Sequence, residues 1–400
     1  MARLLDEGAA ATSGLVGLQN VDLALGELIS AGELAGAVLL VARRGQVVHR
    51  SVQGLKDIAS GEALAHDTLF RIYSMTKPVM AAAMMILHDQ GLWSPDDPIA
   101  RHLPEFEGVQ LLGGGAPARP PTLRQLMTHT AGFGYGFDPD DPVDAAYLAA
   151  GVWQADGLAE MMRRLATAPL AYEPGAKWRY SMSMDVQGAI LEKLTGQSLP
   201  DFMREQMFAP LGMVDTDFYV PAEKLARLAT LYQKTPDAGL AVVERPLLGG
   251  DPARIPKIPS GGGGLYSTAG DYARFAQMLL NRGELGAVRI LSPKAVAIMT
   301  ANHLSDELIA GGYGIGQQMI RPGFGYGFNG AVFTDPALAD SKVGRGTYQW
   351  DGAAGTWFWI DPENDLLFVG LIQRMDEQSP PCQRITQALI GEALQLQDPA

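Results

Sequence analysis

The nine residues Phe70-Arg71-Ile72-Tyr73-Ser74-Met75-Thr76-Lys77-Pro78, and the apolar run from Val79 to Leu87 behind them, constrain this 400-residue chain more than any other stretch. The run is rich in Ala, Met and Leu, which predicts a buried helix fed by a short strand over Thr68 to Ile72. Proline is tolerated only in a first helical turn, so Pro78 places the helix start near Ser74. It also disfavours helical angles at Lys77, which predicts an irregular start. Ser74 and Lys77 are three apart and share a helix face. A hydroxyl at a helix N-terminus, one turn from an amine, suits a nucleophilic serine, because dipole and amine both favour an alkoxide-like state. The plain alternative is an N-cap serine beside a solvated lysine. Against it, a lysine opening a helix that is apolar on every face is hard to place in water. Partly buried, its pKa falls and it can act as a base.

Length alone allows two or three domains. The chain is 47% hydrophobic and 19% charged, which suits a soluble globular protein with a large core. Its net charge of −13, with no basic run, argues against nucleic acid or an anionic membrane as a partner. A single cysteine, Cys382, rules out an intramolecular disulfide and a Cys metal cluster, and reads as a packed or surface thiol. Asp6 and Glu7 precede a short Gly/Ala-rich stretch, so no signal peptide is expected, and no run of about 18 apolar residues predicts a membrane helix. The expectation is a cytoplasmic protein; oligomeric state is not legible.

Helical periodicity marks Leu15 to Ile29, and β-rich runs Gly36 to Ala42 and Gln46 to Val52 flank a turn at Arg43-Arg44-Gly45. Between about 90 and 265 the signals are helical, at Thr122 to His129, Asp141 to Ala168, Met184 to Leu194 and 199–211, with no convincing strand set. Gly196 is a C-cap candidate. The run Ser260-Gly261-Gly262-Gly263-Gly264 lacks phosphate-loop spacing and reads as a close-packed turn. Helices are expected from Thr268 or Ala269 to Leu280 and from Ser292 to Ala301. Strands are expected at Tyr313 to Ile320, Gly325 to Phe333, Gly346 to Asp351, Thr356 to Ile360 and Leu366 to Gln373, then a closing helix at Arg384 to Leu396. Sheet at both ends and helices between predict an α/β chain of the α+β type. One lobe, residues 1–90 and 266–400, carries a central antiparallel sheet flanked by helices. The other, 91–265, is mainly helical, and Ser74 lies at the seam, where pockets form.

A nucleophilic serine needs a base and an oxyanion hole. No G-x-S-x-G occurs, and none of the six histidines forms H-E-x-x-H. A Ser-His-Asp triad stays open, with His129 its best candidate, although a histidine ending a helix suits a structural role better.

S-x-x-K is the pattern of penicillin-binding proteins and β-lactamases. With Tyr180-Ser181 about 100 residues on and Trp350-Asp351-Gly352-Ala353 on a late strand, the chain resembles the class C β-lactamase-related serine hydrolases, and more narrowly the family VIII carboxylesterases. The stretches Tyr73 to Pro78, Leu126 to Gly132, Tyr172 to Gly188, Gly261 to Phe275 and Trp350 to Pro362 carry the resemblance, in the family's order, from about residue 20 onward. It implies a β-lactamase/penicillin-binding-protein-like fold. It also implies that Ser74 is acylated, that Lys77 holds and relays protons, and that Tyr180 takes the Ser74 proton and passes it on. The oxyanion hole would be the backbone N–H groups of Ser74 and Ala353. No cofactor or metal is implied. A tyrosine of ordinary pKa near 10 is a poor base at neutral pH, and a nearby lysine ammonium would favour its phenolate.

The departures bear on substrate. Relatives acting on β-lactams carry Tyr-x-Asn and a strand Lys-Thr-Gly; here Met182 and Trp350-Asp351-Gly352 stand there. An anionic substrate loses a charge-assisted contact of about 1.5–3 kcal/mol, whereas a neutral ester gains an apolar wall. Asp351 departs even from the Trp-Gly-Gly of the narrower group; on a strand it points away from Trp350. Trp350, Gly352 and Tyr135 are the expected substrate-contacting residues. The expected activity is hydrolysis of short-chain carboxylic esters through an acyl-enzyme. The rivals are a β-lactamase, D-amino-acid peptidase, amidase or acyltransferase on the same fold, and a non-catalytic binding protein, which the intact Ser74, Lys77 and Tyr180 disfavour.

Overall fold

The computed structural model describes residues 15–397 except Ala238, Gly249, Gly316 and Gln317. The signal-peptide expectation rests on residues 1–14 and lies outside the described residues. α1 (Gln19–Ser30) leads into β1 (Gly36–Arg43), β2 (Gln46–Asp57) and β3 (Glu62–Ala63). Then come α2 (Thr76–Asp89), α3 (Ser183–Thr195) and α4 (Ala269–Leu280). The chain returns as β4 (Phe324–Tyr326), β5 (Ala331–Phe333), β6 (Tyr348–Gly352), β7 (Thr356–Asp361) and β8 (Leu366–Leu371), and closes with α5 (Cys382–Gln397). The eight strands form one antiparallel sheet in the order β4-β5-β6-β7-β8-β1-β2-β3. Its two halves, from opposite ends of the chain, join where Val38 faces Leu371 and Arg43 faces Leu366.

Strand periodicity divides the core. On β7, Trp357 and Trp359 pack with α1 and α5 among Val21, Leu25 and Ile390, while Phe358 and Ile360 face the larger core on the other side. β8 is buried along its whole length, as a continuous apolar strand covered on both faces must be. The larger core runs from the sheet through α2 and α4 into the helices of 91–265, so both regions share it. α2 is buried from Thr76 to Leu87.

Local signals decide the helix ends. Thr122 and Gln125 form a capping box on the Leu123–Met127 helix, and Gly196 closes α3 at φ 71°. Three strand expectations change. A hairpin, Tyr232–Thr235 with Gly239–Val242, lies in the stretch expected to hold no strands. Tyr313 to Ile320 is a hairpin, Tyr313–Ile315 with Gln318–Ile320. Gly325 to Phe333 splits into β4 and β5 about a turn holding Asn329 at φ 57°. In the first case Pro236 and Asp237, and in the last Asn329, outweigh the apolar pattern around them. Among the described residues no helix is long and apolar enough to cross a membrane. Cys382 is the packed thiol, its pKa pushed up to about 12 by burial.

Candidate active site

The nucleophile turn is irregular, as Pro78 predicts, but the irregularity falls before Lys77. Tyr73–Met75 form a 3₁₀ turn and α2 proper begins at Thr76. Tyr73 sits at φ 41°, a left-handed conformation unusual for a bulky residue and of the kind that functional turns hold under strain. Ser74 stays half-exposed while Tyr73 and Met75 are buried. β6 braces the turn. A Cβ at Gly352 would come within 2.3 Å of the Ile72 carbonyl oxygen, and Thr356 Oγ1 donates to that oxygen at 3.1 Å. Only glycine allows this approach. Ala353 lies just past β6, exposed, in a turn closed by the Gly355 N–H donating to the Gly352 carbonyl at 2.8 Å.

Ser74, Lys77 and Tyr180 meet. Lys77 Nζ lies 3.0 Å from Ser74 Oγ, and the Tyr180 hydroxyl 2.6 Å from the same oxygen. Lys77 is fully buried and also donates to the Gly262 carbonyl at 2.5 Å and the Tyr135 hydroxyl at 3.3 Å. Its Nζ stands 4.6 Å from the centroid of the Tyr180 ring. Tyr180 lies in an aromatic stack with Tyr135 at 5.3 Å on one side and Trp350 at 6.1 Å on the other. Trp350 is 1% exposed, so it is an inner wall rather than an open contact surface.

Several positioning groups carry no local sequence signal. Arg179, next to Tyr180, pairs with Asp141 at 2.8 Å and Asp144 at 3.0 Å. Asp144 also accepts from the Tyr135 and Phe137 N–H groups, so one buried carboxylate fixes both tyrosine segments. Asn329 donates to the Lys77 carbonyl at 3.1 Å and exchanges hydrogen bonds with Gln187. The glycine run is the close-packed turn expected; that it supplies the Lys77 acceptor had no sequence cue. His129 shares a hydrogen bond with Ser181 Oγ at 2.9 Å and packs 4.9 Å from the Tyr180 ring. Burial holds it neutral, and it is hydrogen-bonded to Ser181 rather than Ser74, so no triad forms through it.

The electrostatics differ from the expected phenolate. Burial lowers the Lys77 pKa, opposed by the charges of Asp185 and then Asp351. Burial likewise raises the Tyr180 pKa, with its Ser74 hydrogen bond pulling the other way. The site therefore favours a neutral amine and a neutral phenol over an ammonium–phenolate pair. Asp351, expected to be a bystander on its strand, contributes to both shifts.

A cavity of about 590 Å³ lies beside this group, walled by Phe137, Trp153, Phe218, Ile255, Ile258 and Ser260. It shares Leu248, Gly250, Gly264 and Tyr266 with a small cleft that reaches Tyr73. Ser74 lines neither space; it stands one residue beyond that cleft. The aromatic stack continues into the cavity through Phe137, 4.4 Å from Tyr135, and Trp153. Among the described residues no group of three or more His, Cys, Asp or Glu could hold a metal ion.

The family described as Beta-lactamase matches residues 11–392. Protein Rv1367c of Mycobacterium tuberculosis is 37% identical over 369 residues, covering 88% of this chain and 89% of its own. Esterase EstB of Burkholderia gladioli is 35% identical over 359 residues, covering 86% of each chain. The solved structure of EstCE1, titled a hydrolase with promiscuous acyltransferase activity, superposes with a TM-score of 0.79 at 29% identity, over 94% of this chain and 97% of that one. The fold, the family match and these esterase-named relatives together make the protein an enzyme of the serine hydrolase type, and the chain belongs to the β-lactamase family.

Proposed function

We propose that the protein is a carboxylesterase that works through an acyl-enzyme on Ser74. The observation that carries this reading is the triangle of Ser74 Oγ, Lys77 Nζ and the Tyr180 hydroxyl. Lys77, drawn toward neutrality by burial, has two N–H groups for Gly262 and Tyr135 and a lone pair left for the Ser74 proton. Ser74 Oγ attacks the acyl carbonyl as its proton passes to Lys77. The N–H groups of Ser74 and Ala353 hold the oxyanion, and the Tyr180 O–H protonates the departing alkoxide, refilled from Lys77. Water then enters by the same path in reverse, splitting the acyl bond to Ser74 and returning its proton.

Trp350 favours a neutral ester over an anionic β-lactam, because an indole replaces the cation that would hold the carboxylate. The cavity of about 590 Å³ is more than a short acyl chain fills, which favours esters with a longer or bulkier apolar part over the short-chain class expected from sequence. Names such as Esterase EstB support the ester class. Acyl transfer to an alcohol is the second reading, favoured by the half-exposed Ser74 and by the promiscuous acyltransferase activity of EstCE1.

The test is the initial rate on p-nitrophenyl acetate, butyrate and octanoate beside a chromogenic cephalosporin, with Ser74→Ala as control. Ester turnover that disappears in the variant, with little cephalosporin cleavage, is expected. Ester turnover that survives Ser74→Ala would overturn the nucleophile, and faster cephalosporin than ester cleavage would overturn the substrate class.

A further inference from the structure

Asp185 is fully buried in the first turn of α3, and the steps above leave it unused. Its Oδ1 accepts from Ser260 Oγ at 2.6 Å and from the Gly262 N–H at 3.4 Å. Its Oδ2 has no hydrogen-bond partner among the described residues. A carboxylate oxygen left so in a protein interior is costly unless a nearby charge compensates it. The group that can carry such a charge is Lys77, and Gly262 lies between the two. A Cβ built on Gly262 would meet the Tyr135 hydroxyl at 2.9 Å, Asp185 Oδ2 at 3.0 Å and Lys77 Nζ at 3.6 Å. The missing side chain marks the point where these three groups converge. The same residue gives its N–H to Asp185 and its carbonyl to Lys77, so one peptide segment spaces the acid from the amine.

We propose that Asp185 is a positioning residue: acting across Gly262, its carboxylate sets the charge state in which Lys77 waits beside Ser74. This deepens the esterase reading and rests on it. The groups facing Lys77 are Asp185 from α3, Asp351 from β6, Tyr135 from its loop, Tyr180 ahead of α3 and the neutral His129. Those facing Asp185 are Lys77, Ser260, Tyr135 and Tyr180. Burial pulls the Lys77 pKa down; the Asp185 charge is the largest force against that, ahead of Asp351. The carboxylate keeps the amine exchangeable near neutrality, where a base works best. Acid and amine titrate as a pair.

The experiment is the pH profile of kcat/KM for p-nitrophenyl butyrate in Asp185→Asn, an isosteric change that retains an acceptor for Ser260. The acid limb, where activity appears as Lys77 loses its proton, should move to lower pH by about one unit, a tenfold change in neutral amine. Ser260→Ala, which leaves the Asp185 charge less favoured, should move it the same way by less. It serves alone if Asp185→Asn does not fold. Asp351→Asn should give a smaller shift than Asp185→Asn. An acid limb unmoved in the folded variants, with rates lowered equally at every pH, would overturn the proposal and leave Asp185 merely structural. Ester turnover that survives Ser74→Ala would instead overturn the acyl-enzyme on Ser74 on which it rests.

Discussion

The Tyr180 hydroxyl stands 2.6 Å from Ser74 Oγ, although 106 residues separate the two in the chain. Nothing local to either residue enforces that distance. It follows from the Arg179 clamp on Asp141 and Asp144, and from the ring stack of Tyr135, Tyr180 and Trp350. Tyr180→Phe keeps the stack and removes only the proton-carrying oxygen. Its kcat on p-nitrophenyl butyrate should fall by about 10²–10⁴, the usual scale of a lost general acid–base group, with melting temperature little changed. A near-normal kcat would remove Tyr180 from the mechanism.

Lys77→Arg tests whether the amine serves by position or by losing a proton. Guanidinium keeps the charge and can still donate to Gly262, but it does not deprotonate in proteins. If Lys77 works as a neutral base, the arginine variant should be inactive from pH 6 to 10. The native enzyme should gain activity as pH rises through the lowered Lys77 pKa, since deprotonation creates the base. Activity in Lys77→Arg that parallels the native profile would mean that a fixed positive charge suffices.

Part of the fold and of the site is legible in the amino-acid sequence. Ser74, Lys77 and the buried helix behind them were legible because the signal is local: a proline in a first turn and an uninterrupted apolar run. The two-ended sheet was legible because turn residues bound its apolar strands. Asp185, Gly262, Asp144 and Asn329 were not, because each acts on a residue distant in the chain, and a buried carboxylate on a helix looks in sequence like any solvated one. The left-handed Tyr73 was hidden for a different reason. Bulky residues disfavour that conformation, and it stands in a turn braced by distant residues, β6 at Ile72 and Leu231 and Ala354 at Tyr73. The neutral state of Tyr180 likewise depends on how deeply the ring is buried, which no motif states.

That packing gives a prediction of its own. Gly352→Ala would drive a methyl within 2.3 Å of the Ile72 carbonyl oxygen and of Thr356 Oγ1, both held by neighbouring backbone and strand. The strand has to retreat from the nucleophile turn, carrying the Ala353 N–H with it. Overpacking of this kind costs about 1–3 kcal/mol, so chemical denaturation should register a lower midpoint. Ester turnover should fall by more than the loss of folded protein accounts for. An equal fall in both would mean that β6 supports the fold but does not aim the oxyanion hole.

Acyl-chain preference tests the cavity. Each methylene moved from water into an apolar wall is worth about 0.8 kcal/mol, so burying about four carbons of an octanoyl chain gives roughly 3 kcal/mol. Expressed in the transition state, that is about a hundredfold in kcat/KM over the acetyl ester. The wall built by Phe137, Trp153 and Ile258 suits such a chain, and the cleft that shares residues with it is lined by Tyr73, the chain neighbour of Ser74. Native enzyme should therefore prefer p-nitrophenyl octanoate to acetate. Ile258→Trp, which fills part of the cavity without touching Ser74, Lys77 or Tyr180, should cut octanoate turnover about tenfold or more and leave acetate turnover near native. Equal losses on both esters would mean that the substitution disturbs the reacting groups. An octanoate preference left intact would place the acyl chain elsewhere, against the exposed side of Ser74, and the cavity would then hold the alcohol portion of the ester.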